Sequence, residues 1–420
     1  MSEPLNIFIS AGEASGEHYG ALLVEDLRRK LAGAGRTASF FGMGGQRMAD
    51  SGLDRVVRSE DMAVMGITEV VRHLPRIYRE FRRLKAAIRT RRPSVAVLID
   101  FPDIHFRLAA EFHRLGIPVI FFVSPQLWAW KKKRIRLVQR YVDRMLVIFP
   151  FEEQFYRDHH VRAEFVGHPL AELPLPAISR EEFARQNRLD PAKSWIGLLP
   201  GSRAREIADN LPEMLAATRS LAGSHLELQF VIPLAPTLKP SHHTMLKTLI
   251  DSHGSGLPIH LVDNARAALF HARASVVASG TATVEAALIG NPFVVVYRVS
   301  PLTYAIAKRV VKVPFVAMVN LIAGKLVVPE LIQQAFTAPH IVREIELLLP
   351  DGPPRESMKK ELARIRGLLA PKNVGEGEGG GAIARVAAIT LELAGASSLV
   401  PESVPSRVSN GGHEHLSLRS

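Results

Sequence analysis

The chain has 420 residues, 47% of them hydrophobic and 22% charged, and a net charge of +12 at pH 7. That composition excludes a disordered chain, and the length suits two domains of roughly 150–200 residues each. The absence of cysteine excludes disulfides, thiolate catalysis and zinc–cysteine sites, and it fits a reducing cytoplasm. Residues 1–7 carry no basic region ahead of an apolar stretch, so no secretory signal is expected. Apolar runs such as 293–297 and 316–322 fall short of the about 20 residues that span a bilayer, and an integral membrane protein is not expected. The positive charge points to acidic partners: nucleic acid, phosphorylated metabolites or an anionic membrane.

Short apolar runs alternate with longer amphipathic segments, the pattern of βαβ units around a parallel sheet. A first strand is expected at 6–10, then the turn Gly12-Glu13-Ala14-Ser15-Gly16 and a helix through 21–31. After a strand at 39–41, apolar Val70, Val71, Leu74, Ile77 and Phe81 interleave at helical spacing with a run of arginines from Arg72 to Arg92. This segment, 64–92, reads either as a solvated helix face backed by core or as a surface for anionic lipid. Strands at 95–99, 119–123, 145–149 and 164–166 complete one doubly wound domain, residues 1–172. A second basic cluster follows the aromatic stretch Trp128-Ala129-Trp130 at Lys131, Lys132, Lys133 and Arg134. Paired tryptophans there could meet lipid or sugar, or simply pack in the core.

The Pro-rich stretch 173–178 reads as a linker, after which the pattern restarts with strands at 195–199, 227–232, 259–261, 275–278 and 293–297. The simplest account is an α/β protein with two doubly wound, Rossmann-like domains and a cleft between them, the second spanning 173–345. Residues 346–395 read as C-terminal helices, including one at 382–393 after a glycine-rich, flexible 375–381. Residues 396–420 read as a disordered tail.

Chemistry-bearing residues fall just beyond strand ends. Leu199-Pro200-Gly201-Ser202-Arg203 follows an apolar strand and precedes a helix. Glycine lets backbone approach an anion, Ser202 can donate a hydrogen bond, and Arg203 can grip phosphate oxygens in a bidentate contact. An ordinary turn with Ser202 as N-cap fits the same residues. Ser279-Gly280-Thr281-Ala282-Thr283-Val284-Glu285 repeats the arrangement, with Glu285 placed either to hold ribose hydroxyls or to close a capping box. Two such loops in one domain favour a nucleotide diphosphate, and no Walker lysine motif is present. In the first domain, Ile99-Asp100-Phe101-Pro102-Asp103 places carboxylates where one could take a proton from a sugar hydroxyl, or where Asp103 could cap the next helix. His18 and His168 flank the same cleft, although a lone histidine is more often structural, and no His/Asp/Glu set has metal-ligand spacing.

These motifs, in this order, resemble the lipid-A-disaccharide synthase family. The resemblance runs from Ile9-Ser10-Ala11-Gly12-Glu13-Ala14-Ser15-Gly16 through Val64-Met65-Gly66-Ile67-Thr68-Glu69-Val70, Ile99-Asp100-Phe101-Pro102-Asp103 and Val123-Ser124-Pro125-Gln126-Leu127-Trp128-Ala129-Trp130. It continues through Gly167-His168-Pro169, the two loops above, Tyr297-Arg298, Asn320-Leu321-Ile322-Ala323-Gly324 and Pro329-Glu330-Leu331-Ile332. Departures are Glu17 for a usual Asp, Gln46 for Pro, Ile104-His105 for Phe-Asn, Lys131 for Arg and Val319 for Pro.

The resemblance implies a GT-B fold and an inverting transfer of diacylglucosamine from its UDP derivative to a diacylglucosamine phosphate. It implies no required metal or cofactor, peripheral attachment to the cytoplasmic face of the inner membrane, and a homodimer with exchanged C-terminal elements. An inverting transfer needs a base on the acceptor side and charge stabilisation on the leaving side. Asp100 is the leading base candidate, with Asp103 and Glu13 behind it. Ser202, Arg203, Ser279, Gly280, Thr281 and Thr283 would hold the diphosphate, Glu285 the ribose and Asn320 the donor, while Gly12, Ser15 and Gly16 would admit the acceptor. Two rivals within the fold are a transferase with a soluble acceptor and a UDP-sugar epimerase. A nucleic-acid-binding protein would need a stacking platform or groove-reading motif, and neither is found.

Overall fold

The computed structural model describes residues 5–62, 67–235, 238, 240–311, 313–370 and 380–395. Strands β1 (Leu5–Ala11), β2 (Ala38–Gly44), β3 (Asp54–Arg58), β4 (Val95–Ile99), β5 (Val119–Phe122), β6 (Arg144–Val147) and β7 (Ala163–Phe165) form one sheet. Its order is β3-β2-β1-β4-β5-β6-β7, and every pairing is parallel. Strands β8 (Ser194–Leu199), β9 (Leu228–Pro233), β10 (Ile259–Val262), β11 (Ala274–Ala278), β12 (Phe293–Tyr297) and β13 (Glu330–Ile332) form the second, ordered β10-β9-β8-β11-β12-β13 and again parallel. Around the first sheet lie α1 (Ala14–Gly33), α2 (Gln46–Asp50), α3 (Ile67–Arg91), α4 (Pro102–Arg114), α5 (Ile135–Tyr141) and α6 (Pro150–Arg157). The second half contributes α7 (Arg180–Asn187), α8 (Ala204–Ser224), α9 (Pro240–His253), α10 (Ala265–His271), α11 (Thr281–Ile289), α12 (Pro301–Val310), α13 (Met318–Ala323), α14 (Ala338–Glu346), α15 (Pro353–Leu369) and α16 (Ala382–Leu393).

Strand alternation sorts the core. Ile7, Ile9, Val95, Val97 and Ile99 project to the face packed by α1, whereas Phe8, Ala96 and Leu98 project to the face covered by Leu84 and Ile88 of α3 and Leu108 and Phe112 of α4. Burial of both faces explains why these strands read as continuous apolar runs. The last helix, α16, returns to pack on α1, and Glu172 accepts a hydrogen bond from the Ala382 N–H at its start. Two strands lie outside the sequence expectation: β3 and β13 are the edges of their sheets, and pairing rather than apolar content defines them. Val64-Met65-Gly66, the expected flexible stretch as far as residue 379 and the expected tail lie outside the described residues.

In a parallel sheet, ligands bind beyond the carboxyl ends of strands where the winding reverses. In the first sheet that reversal falls between β1 and β4, hence between the Gly12 turn and Asp100. In the second it falls between β8 and β11, hence between the loops at 199–203 and 279–285.

Candidate active site

The first wall is built on a tight backbone. Asp100 and Phe101 have φ of 52° and 51°, so two successive non-glycine residues sit in the left-handed region immediately after β4. Phe101, the N-cap of α4, turns its ring onto Gly12, where an added Cβ would lie 2.3 Å from the ring. Gly12 therefore makes room for the Phe101 ring, whereas a Cβ at Gly16 would meet Ile99 at 3.4 Å, an ordinary contact. Ser15 is half-buried beside them. Burial, and behind it the like charge of Glu13, pushes the Asp100 carboxyl up to about 6, against the pull of its bond from the Phe101 N–H. Asp103 does not cap the helix: its carboxylate is 69% exposed and forms an ion pair with Arg134.

Tyr19, on the buried face of α1, belongs to no sequence motif. It is 3% exposed, and burial together with the charges of Glu285 and Asp100 raises its hydroxyl well above the usual range. It therefore feels carboxylates from both halves of the molecule. His168 beside it is 2% exposed and held neutral: burial lowers it to about 3, and its Nδ1 accepts the Leu170 N–H at 3.2 Å. The tryptophans divide. Trp128 is held inward by Glu152 (3.0 Å) and Phe151, while Trp130 is 42% exposed with the Lys131 Nζ 4.1 Å from its ring centre.

The second wall carries the two loops. Gly201 has a φ of 125°, which glycine alone adopts readily, and its N-cap neighbour is Arg203 rather than Ser202. The amides of Ser202 and Arg203 both point to Glu206 Oε2, at 3.0 and 3.3 Å, and the Arg203 guanidinium meets Glu206 Oε1 at 3.0 Å. The two loop amides are thus already met by a carboxylate. Its position three residues after the N-cap is a capping-box signal legible in sequence, with Arg203 and not Ser202 as the cap. At the second loop, Gly280 (φ 155°) precedes α11 with no side-chain cap, which leaves a helix N-terminus flanked by Ser279 and exposed Thr281. Thr283 is fully buried and its hydroxyl bonds the Gly280 carbonyl at 2.7 Å, so it shapes the turn instead of offering itself to a ligand. Glu285 pairs with Arg266 at 3.4 Å; burial raises its carboxyl and Arg266 opposes that rise.

Asn320 is engaged within its own half. Its amide donates to Val328 O (2.9 Å) and Glu330 Oε1 (2.8 Å), and its oxygen accepts from Val327 N (2.8 Å) and Val328 N (3.0 Å). All four hydrogen-bonding positions of the amide are used, so it fastens the approach to β13 and has none left for a donor sugar.

The two walls meet. Arg203 Nη2 lies 3.7 Å from Glu13 Oε2, which brings the 199–203 loop opposite the β1 turn and Asp100. Both side chains are about half exposed, so the contact contributes geometry more than stability. Among the described residues, no three His, Asp or Glu side chains are grouped to hold a metal ion.

Paired Rossmann-like halves, with the half-buried Asp100 turn and the 199–203 loop approaching across a cleft, define a protein of GT-B architecture. Solved structures share that fold: the glycotransferase of kitacinnamycin superposes with a TM-score of 0.61 at 15% identity, over 93% of this chain and 100% of that one. An S. aureus MnaA–UDP co-structure does so with a TM-score of 0.61 at 12% identity, over 96% and 100%. The family model described as Lipid-A-disaccharide synthetase matches residues 7–373. The lipid-A-disaccharide synthase of Acidobacterium capsulatum is 60% identical over 402 residues, 94% of this chain and 97% of its own. That of Koribacter versatilis is 50% identical over 362 residues, 86% and 92% respectively. The chain belongs to the lipid-A-disaccharide synthase family and is a glycosyltransferase.

Proposed function

We propose that this enzyme transfers 2,3-diacylglucosamine from its UDP derivative to 2,3-diacylglucosamine 1-phosphate, forming the β-linked disaccharide 1-phosphate and UDP. The Asp100 carboxylate accepts the proton of the attacking acceptor hydroxyl as its oxygen bonds to the donor anomeric carbon. The bond from that carbon to the diphosphate oxygen breaks on the opposite face, and the electron pair leaves with UDP. Arg203, the Ser202 hydroxyl and the α11 N-terminus with Ser279, Gly280 and Thr281 stabilise the departing charge, a role that a metal need not share. Glu285 is proposed to meet the ribose, Glu13 to steer Arg203, and the backbone at Gly12, Ser15 and Gly16 to border the acceptor. Asp103, turned outward onto Arg134, ranks below Asp100 as the base.

The observation that carries this reading is the Glu13–Arg203 approach, which brings the loop proposed to hold the diphosphate toward the turn that carries Asp100. UDP release should require the acylated acceptor. Conversion of the UDP-sugar to its epimer without acceptor would favour the epimerase reading instead.

Both substrates carry acyl chains, so a peripheral seat on the cytoplasmic membrane face belongs to the proposal. Its support is α3, where exposed Tyr78 lies beside Arg79, Arg82 and Arg83, with the Arg82 guanidinium 5.9 Å from the ring centre. No described helix is long and apolar enough to cross a membrane. Co-flotation with anionic liposomes at low salt is expected, and indifference to them would remove this part. A homodimer with exchanged C-terminal elements would use the α1 face that α16 covers within this chain, and light scattering decides it.

A further inference from the structure

We infer that His105 is a positioning residue for Asp100, acting as a hydrogen-bond strut that holds the left-handed turn on which the carboxylate is mounted. The inference rests on the reading of Asp100 as the base.

Left-handed backbone is unfavourable for a non-glycine residue, and it persists only where surroundings impose it. At Asp100 three contacts do so. Its N–H donates to Phe122 O at 3.0 Å, the His105 N–H donates to Phe101 O at 3.2 Å, and the Asp100 carbonyl receives the His105 ring at Nδ1, 2.5 Å away. The first two are backbone contacts that any side chain would permit. The third belongs to His105 alone.

A carbonyl only accepts, so Nδ1 must carry a proton. The ring is fully buried, and desolvation lowers it to about 4, so it is neutral at physiological pH and holds one proton. Nε2 is therefore an acceptor, and the Ser10 hydroxyl, 2.8 Å away, donates to it. The chain of bonds runs from Ser10 on β1 through His105 on α4 to the Asp100 carbonyl. It spans the two strands at the reversal point of the first sheet. The Phe101 ring, 5.8 Å from the imidazole in an edge-on contact, packs the assembly down onto Gly12. Losing the Nδ1 bond frees the Asp100–Phe101 peptide to rotate, which swings the carboxylate away from the acceptor hydroxyl while leaving both binding walls in place.

Asparagine and glutamine separate the two ring nitrogens, because the Asn amide nitrogen overlays Nδ1 and the Gln amide nitrogen overlays Nε2. His105→Asn should keep kcat within about fivefold of wild type. His105→Gln and His105→Leu should lower kcat by 30-fold or more, with KM for both substrates and UDP affinity changed less than threefold. Equal kcat in the Asn and Gln variants, or a loss confined to KM, overturns the inference. Nitrogen-15 spectra of the wild-type protein give a readout independent of whether variants fold: the proton is expected on Nδ1, and an Nε2–H tautomer or an imidazolium at pH 7 contradicts it. Asp100→Asn separates the two claims. If it retains turnover, the base assignment fails; if it is inactive while His105→Gln is fully active, only the strut fails.

Discussion

The raised carboxyl of Asp100 makes catalysis and stability respond oppositely to the same substitution. Its pKa is raised from an ordinary 3.8 to about 6, which corresponds to about 3 kcal/mol. At low pH both folded and unfolded chains hold the proton. As the pH rises through 3.8, the unfolded chain ionises first, so the folded state loses that stability progressively up to about pH 6 and does not regain it at neutrality. Asp100→Asn removes the penalty, and asparagine tolerates the left-handed backbone, so the variant should melt a few degrees higher at pH 7 while turnover is abolished. In wild type, kcat/KM reports groups of the free enzyme and should fall below about pH 6, reaching about one-tenth of its plateau near pH 5. The acceptor phosphate titrates near pH 6 as well, so the discriminating measurement is Glu13→Gln. Removing that like charge should move the acid limb to lower pH, by less than the full elevation because burial is the larger cause. A limb unmoved by Glu13→Gln, or an Asp100→Asn protein no more stable at pH 7 than wild type, would refute the reasoning.

Glu206 holds the loop amides and Arg203 that a diphosphate would take, so Glu206→Gln should tighten UDP binding by about two- to fivefold at low salt in calorimetry; weaker binding would contradict it. Asn320→Ala leaves the Val327 and Val328 amides without their partner, so it should cost about 2–4 kcal/mol in urea unfolding while the folded protein binds UDP normally. Wild-type stability with impaired UDP binding would restore Asn320 as a ligand residue. Gly12→Ala drives a methyl into Phe101 and should lower kcat at least tenfold with UDP affinity kept, and full activity would count against the packing described.

Strands buried on both faces were legible as sequence: β4 and β12 fall on the expected residues, as does α16. In β3, Asp54, Arg55 and Arg58 hide a strand that is held by its pairing with β2 and by Val57 packed in the core beneath α3. In the candidate site, loops after apolar strands fall beside the two winding reversals, where parallel sheets place ligands. What each residue does depended on partners distant in the chain. Phe101 covers Gly12, the β13 approach consumes Asn320, Arg134 draws Asp103 outward, and Tyr19 meets charges from both halves. No local pattern encodes those encounters.

The central claim is a group transfer between two acylated sugars. Purified enzyme incubated with UDP-diacylglucosamine and diacylglucosamine 1-phosphate should yield, by mass spectrometry, disaccharide phosphate and UDP in equal amounts, with a β anomeric signal by NMR and no product from Asp100→Asn. UDP formed without disaccharide, or an α-linked product, would contradict the account.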